Sequence, residues 1–255
     1  MNEERPAPAG DEAQAQVELT EERSRLQELQ NTFVSIVSHE LQTPVAIIKA
    51  YAGTLSRPDA NWSPTVVQRV GATIEAECDR LTRLITDLLD LARIQAGRVA
   101  MTFGPVDLAE LLGEVVEQAH ARAPERRIVM EDVSSLPIVR GDSDKLRMAL
   151  TNLVDNAIKY SPAGGTITLG GSTEPEQVVV WVRDEGIGVS SDERERIFER
   201  FHRVDTRLSR ETPGVGMGLY ICRVIMEAHR GRAWVESEGP GRGSTFFISL
   251  PRVPA

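Results

Sequence analysis

Two short stretches carry residue types whose spacing supports chemistry. Ser38-His39-Glu40-Leu41-Gln42-Thr43-Pro44 puts an imidazole, a carboxylate and a hydroxyl close together on a helical pattern. Asn152-Leu-Val-Asp-Asn156 puts two amides one helical turn apart. It precedes Asp184-Glu-Gly186-Ile-Gly188 and Gly214-Val-Gly216-Met-Gly218. A nucleophile on one segment and a phosphate cradle on another point to phosphoryl transfer from ATP to His39.

At ~100° per residue, His39 lies about 160° around from the Phe33/Val37 seam and faces outward. A histidine that attacks phosphorus must be exposed and neutral at the attacking nitrogen. The adjacent Glu40 can hydrogen-bond the other ring nitrogen and take its proton. Thr43 lies one turn on, close to the same face. Pro44 interrupts a strong helical pattern, and a proline there removes a backbone bond and favours a kink. An exposed histidine on a coiled coil is by itself commonplace; the proline beside it is not.

Asn152 and Asn156, at i and i+4, share one helix face, with Lys159 and Tyr160 on or near it. Amide oxygens can ligate Mg²⁺, and a lysine can neutralise phosphate. Asp184 ends a β-rich run, where a carboxylate could accept a hydrogen bond from an adenine amino group. Gly186 and Gly188 would let backbone approach a ligand closely. Gly214, Gly216 and Gly218 open a helix, a setting suited to anionic phosphate. They form neither a Walker A loop nor a convincing dinucleotide fingerprint. Arg200, Arg203, Arg207 and Arg210 precede them on a segment, His202 to Pro213, that reads as a lid.

The elements that must position these groups fall into two sets. Leu26, Phe33, Val37, Pro44, Ile48, Tyr51 and Leu55 form one helical stripe. Turn residues from Arg57 to Ser63 break it, and Ser63-Pro64 opens a second helix. That helix carries Val67, Val70, Ile74, Cys78, Leu81, Ile85, Leu88 and Leu91 and fades at Gln95-Ala-Gly97. The pair is expected to form an antiparallel hairpin whose two apolar stripes call for a four-helix bundle, most simply a homodimer. Beyond Gly104-Pro105 the pattern becomes mixed. Helices are expected over 108–120, 143–160, 190–201 and 218–229. Strands are expected over 127–131, 166–170, 178–183, 233–236 and 245–250.

The order of these pieces resembles the sensor histidine kinases of two-component signalling. Ser38–Pro44 is similar to their phosphoacceptor box, and Asn152–Tyr160 to their N box. Asp184–Gly188 and Gly214–Gly218 are similar to their two glycine boxes, and Ile197–Phe201 to their F box. The likeness spans about residues 20–252. It implies phosphorylation of His39 with Glu40 as base, and Thr43 orienting water when the kinase dephosphorylates its partner. It implies Asn156 on Mg²⁺, Asn152 and Lys159 near the triphosphate of ATP, and Asp184 on the adenine. Tyr160 and the five glycines would complete the nucleotide site. The partner implied is the receiver domain of a response regulator. Gln42, Met217 and His202 stand where Arg, Leu and Tyr are common in the family, and none of these changes removes a catalytic group.

The expected class is therefore α+β: a disordered segment over 1–18, a helical-hairpin dimerisation and phosphotransfer domain over 19–97 and a linker over 98–104. An α/β-sandwich ATP-binding domain follows over 105–252. The net charge of −9 speaks against nucleic-acid binding. The two cysteines, Cys78 and Cys222, have no metal spacing and suit a reducing compartment. With no apolar run of ~18 residues and no signal peptide, a cytoplasmic location is expected.

Overall fold

The computed structural model describes residues 35, 37–38, 40–57, 61–95, 101–161, 164–204 and 216–252, with side chains at 83, 87, 88 and 90–95 excepted. His39, Gly214, Arg207, Arg210, Phe33 and the 1–18 segment lie outside the described residues. The chain divides into two compact units, Met1–Thr82 and Arg83–Ala255.

In the first unit, α1 is helical at 35, 37 and 38 and continuously over 40–55. The helix runs through Pro44, which is buried. Its C-terminal hydroxyls fold back onto the backbone: Thr54 Oγ1 donates to Ala50 O at 2.8 Å and Ser56 Oγ to Ala52 O at 2.9 Å. The second helix, α2 (Pro64–Gln95), starts as the sequence predicts. Ser63 O accepts from the amides of Val66 and Val67, with Pro64 at the first helical position where a missing N–H costs nothing. On α2, Val70 and Leu84 are buried, while Val67, Ile85 and Leu89 are 44%, 45% and 53% exposed. The helix therefore covers one apolar stripe and leaves another in solvent.

The second unit holds a five-stranded mixed sheet in the order β2-β4-β5-β7-β6. Its strands are β2 (Arg127–Met130), β4 (Thr166–Thr173), β5 (Gln177–Asp184), β6 (Arg232–Glu236) and β7 (Ser244–Pro251). Only the β2–β4 pair is parallel; the rest are antiparallel. Three helices supply the core against it: α3 (Leu108–Arg122), α4 (Ser143–Tyr160) and α5 (Gly218–Ala228). Leu111, Leu112, Val115, Leu146, Leu150, Leu153, Ile221 and Met226 from the helices are buried with Ile167, Leu169, Val180, Val182, Ile248 and Leu250 from the strands. Period-two strands and helical stripes thus meet in one apolar layer. This is the expected helical region followed by an α/β domain.

Caps set the helix starts. The Asp107 carboxylate accepts from the amides of Ala109 and Glu110 at 2.9 and 3.1 Å, and Asp142 accepts from Lys145 N at 3.1 Å. Asp142 also accepts from Thr102 N at 2.7 Å, while its own amide donates to His229 Nε2 at 2.9 Å. Nδ1 of His229 donates to Ile225 O at 2.8 Å, which fixes a neutral ring in one tautomer. Phe103 packs on that ring at 5.1 Å. A buried polar knot thus joins Thr102 and Phe103, the start of α4 and the end of α5.

Two expectations need correction. Residues 190–201 are not an α-helix: turns lead into a 3-10 helix over Arg196–Phe198. Only Ile197 and Phe198 are buried there, so the segment has no apolar stripe to drive a helix. It is tied down from outside instead, by Arg194 Nη2 donating to Ser237 O at 2.5 Å, and its end is closed locally by the His202–Glu193 contact. The second correction is an added antiparallel ribbon of β1 (Gly104–Val106) and β3 (Val139–Gly141). Strands of three residues are too short to show a period.

Candidate nucleotide and phosphoacceptor sites

In the second unit, α4, the Asp184–Gly188 turn and the start of α5 converge. Asn152, Asn156, Lys159 and Tyr160 lie on the C-terminal half of α4. The backbone of Tyr160 accepts from Ile187 N at 3.1 Å, which ties the helix end to the first glycine turn. Gly186 sits so close that a Cβ there would lie 2.4 Å from Tyr160 O and 2.5 Å from Asp184 Oδ1. Gly188 has φ +69°, with its missing Cβ against Gly239 O. These two glycines are thus required by packing and by backbone conformation alone.

The second glycine run meets α4 directly. A Cβ on Gly218 would lie 3.4 Å from Asn152 Oδ1, so α5 begins against that amide. Asn152 Nδ2 is buried and has no hydrogen-bond partner among the described residues. A buried donor left unpaired costs about 1–3 kcal/mol. A helix start with an unmet amide beside it has the donor set an anionic phosphate takes. Asn156, one turn further along α4, is half-buried. Its carbonyl oxygen suits a hard cation such as Mg²⁺.

Around the rim, Lys159 Nζ lies 5.2 Å from the Tyr160 ring centroid. Burial pushes the Tyr160 hydroxyl up, and a hydrogen bond with Arg203 works against that shift. Gly216 packs against His202 O and Arg203 Cγ, which brings the end of the 190–204 segment to the mouth of α5. Arg200 stacks on Tyr220 of α5 at 4.9 Å.

Asp184 ends β5 and is 5% exposed. Its Oδ1 accepts from Gly186 N at 2.8 Å, and its carboxylate also accepts from the Ser244 backbone. Burial outweighs both bonds and pushes its pKa up from 3.8 to about 6.

In the first unit, Glu40 and Thr43 lie on α1; Glu40 is half-buried and Thr43 exposed. Glu40 Oε2 pairs with Arg80 Nη2 of α2 at 2.9 Å. Arg80 and His229 are two residues the sequence reading did not single out. Their partners lie 40 and 87 positions away, and neither Glu40–Arg80 nor Asp142–His229 leaves a local pattern.

Comparison with known proteins assigns both units. Residues 29–97 match the family described as His Kinase A (phospho-acceptor) domain. Residues 141–254 match the family described as Histidine kinase-, DNA gyrase B-, and HSP90-like ATPase. The sensor-like histidine kinase SenX3 of Mycolicibacterium smegmatis is 36% identical over 91% of this chain and 60% of its own length. The sensor histidine kinase RppB of Synechocystis is 36% identical over 87% of this chain and 49% of its own. The chain thus spans about half to three-fifths of the length of these two curated relatives. Among solved structures, full-length ShkA in complex with AMPPNP superposes with a TM-score of 0.64 at 29% identity, over 87% of this chain and 46% of that one. The mycobacterial sensor histidine kinase MprB superposes with a TM-score of 0.51 at 30% identity, over 60% of this chain and all of that one. No helix among the described residues is long and apolar enough to cross a membrane.

Proposed function

The chain belongs to the sensor histidine kinases, and on that premise we propose that it phosphorylates His39 from Mg-ATP and passes the phosphoryl group to an aspartate of a response regulator. A ring nitrogen of His39 attacks the γ-phosphorus. The bond from phosphorus to the bridging oxygen breaks, its electron pair leaves with ADP, and Glu40 takes the proton from the other ring nitrogen. The product is a phosphohistidine, which the aspartate carboxylate of the regulator then attacks.

Asp184 accepts from the adenine amino group, and Gly186 and Gly188 let the base lie against backbone. Asn152, Lys159, Tyr160 and the amides at the Gly214–Gly218 helix start hold the phosphates. Asn156 would ligate Mg²⁺, which supplies charge neutralisation between the phosphate oxygens. Thr43 orients water for dephosphorylation of the regulator. The hairpin domain extends over 19–97 and pairs with a second copy, and the ATP-binding domain extends over 105–252. In ThkA, solved in complex with the response regulator TrrA, a protein of this fold meets such a partner.

The observation that carries this reading is the Asn152 amide: its Nδ2 is buried without a hydrogen-bond partner among the described residues, and its Oδ1 lies against Gly218 at the start of α5. Incubation with γ-labelled ATP tests it. Stable label on the protein, lost in His39→Ala, is expected. Free phosphate without label would make the chain a gyrase-type ATPase instead. No reaction in a protein that still dimerises would make it a docking scaffold.

A further inference from the structure

The Glu40–Arg80 pair joins α1 to α2 across the hairpin, at 2.9 Å between Oε2 and Nη2. It is not an open surface bridge, since the two side chains are 16% and 22% exposed. Arg80 is itself held from its own helix by Glu77, whose Oε2 lies 3.5 Å from Nη1. One guanidinium thus sits between two carboxylates, one local and one across the hairpin.

The pair engages a single oxygen of Glu40. Oε1 has no hydrogen bond with any described residue. A glutamate is long, and fixing it costs up to ~2 kcal/mol of rotamer freedom. A base must nevertheless reach its proton within about 2.6–3.2 Å. For a largely buried pair the desolvation of both charges offsets much of their attraction, so folding alone is a weak reason for this arrangement. A guanidinium stays protonated under all ordinary conditions. It can anchor Oε2 without competing for the proton that Glu40 receives.

We propose that Arg80 is a positioning residue for phosphorylation of His39: it holds Glu40 by Oε2, with Glu77 bracing it, and leaves Oε1 for the histidine ring. The inference rests on the reading of His39 and Glu40 given above. Arg80 acts through Glu40 and touches neither nucleotide nor phosphorus.

Initial labelling rates on the full chain, at saturating and at limiting ATP, test it. Arg80→Ala lowers the rate at saturating ATP about tenfold or more, the usual effect of removing a group that orients a reacting one. The KM for ATP stays unchanged, and Arg80→Lys regains most of the rate. Glu40→Gln with Arg80→Ala is no slower than Glu40→Gln alone, because Arg80 has nothing left to orient. Melting temperatures accompany each rate. If Arg80→Ala melts early, Arg80→Gln carries the same comparison. Wild-type labelling in the folded variant overturns the proposal, as does a double variant whose losses simply multiply. Label that persists in His39→Ala would instead sink the phosphoacceptor reading, whatever Arg80 does.

Discussion

The hairpin helices and the ATP-binding domain handle the same kind of side chain in opposite ways. Leu112, Leu150, Leu153 and Ile221 of the ATP-binding domain are wholly buried within a single chain. Tyr51 on α1 and Val67 and Ile85 on α2 are 40–45% exposed, although they lie on the stripes that helical periodicity marks as core. A sheet with three helices on it closes its own core. Two helices cannot, because each has a stripe wider than one neighbour covers. On the proposed reading, the hairpin's stability therefore depends on a second copy, whereas the ATP-binding domain stands alone.

Breaking the hairpin gives the largest expected effect. Leu81→Asp puts a charge into the apolar layer of α2, where an unpaired carboxylate costs several kcal/mol. Sedimentation should show monomers or an unfolded hairpin, with the ATP-binding domain's melting unchanged. A dimer as tight as wild type would remove the contrast between the two regions.

Trimming the other region sharpens the comparison. A fragment of residues 101–252 should fold alone and bind ATP. One that begins at 105 loses the Thr102–Asp142 hydrogen bond, the Phe103–His229 contact and Gly104 of β1. It should be less stable by about 1–3 kcal/mol, measured by urea unfolding. Equal stability of the two would show that the polar knot at His229 is not a structural tie.

Asp184 links the closed core to function through pH. Its folded pKa of about 6 lies above its ordinary 3.8, so the buried ionised form costs stability above pH 6. That cost, on the order of 3 kcal/mol for about 2 units, is relieved as pH falls from 6 towards 4. If Asp184 meets the adenine amino group as proposed, nucleotide affinity runs the other way, because the ionised carboxylate is the better acceptor. Between pH 7.5 and 5, affinity should fall about tenfold in wild type and stay flat in Asp184→Asn. Parallel profiles would remove Asp184 from the adenine.

The smallest change concerns Thr43, exposed on α1. Thr43→Ala should keep autophosphorylation within about twofold and lose most dephosphorylation of the regulator, a split that reads its hydroxyl as a water-orienting group. If both activities fall together, Thr43 shapes the histidine's own surroundings.

What could be read from the sequence follows from how local each cause is. The start of α4 was legible because Asp142 caps it, and the start of α5 because glycines open it. The end of β5 was legible because Asp184 and Gly186 follow a β-branched run. Residues 190–201 misled because their charges look helical while the tertiary anchor of Arg194 on Ser237 and the local Glu193–His202 contact decide their shape. The Glu40–Arg80 and Asp142–His229 ties were invisible, since each joins residues whose nearness exists only after folding. The glycines of the Asp184–Gly188 turn were legible in place but not in cause: packing on Tyr160 and Gly239 requires them before any ligand does.

The central claim is that nucleophile and nucleotide site lie on separate parts of the chain. The most direct test pairs two readouts on His39→Ala: label from γ-labelled ATP and affinity for a nucleotide analogue. Label should vanish while affinity stays at the wild-type value. Label retained on the variant, or affinity lost from a folded one, would contradict the account.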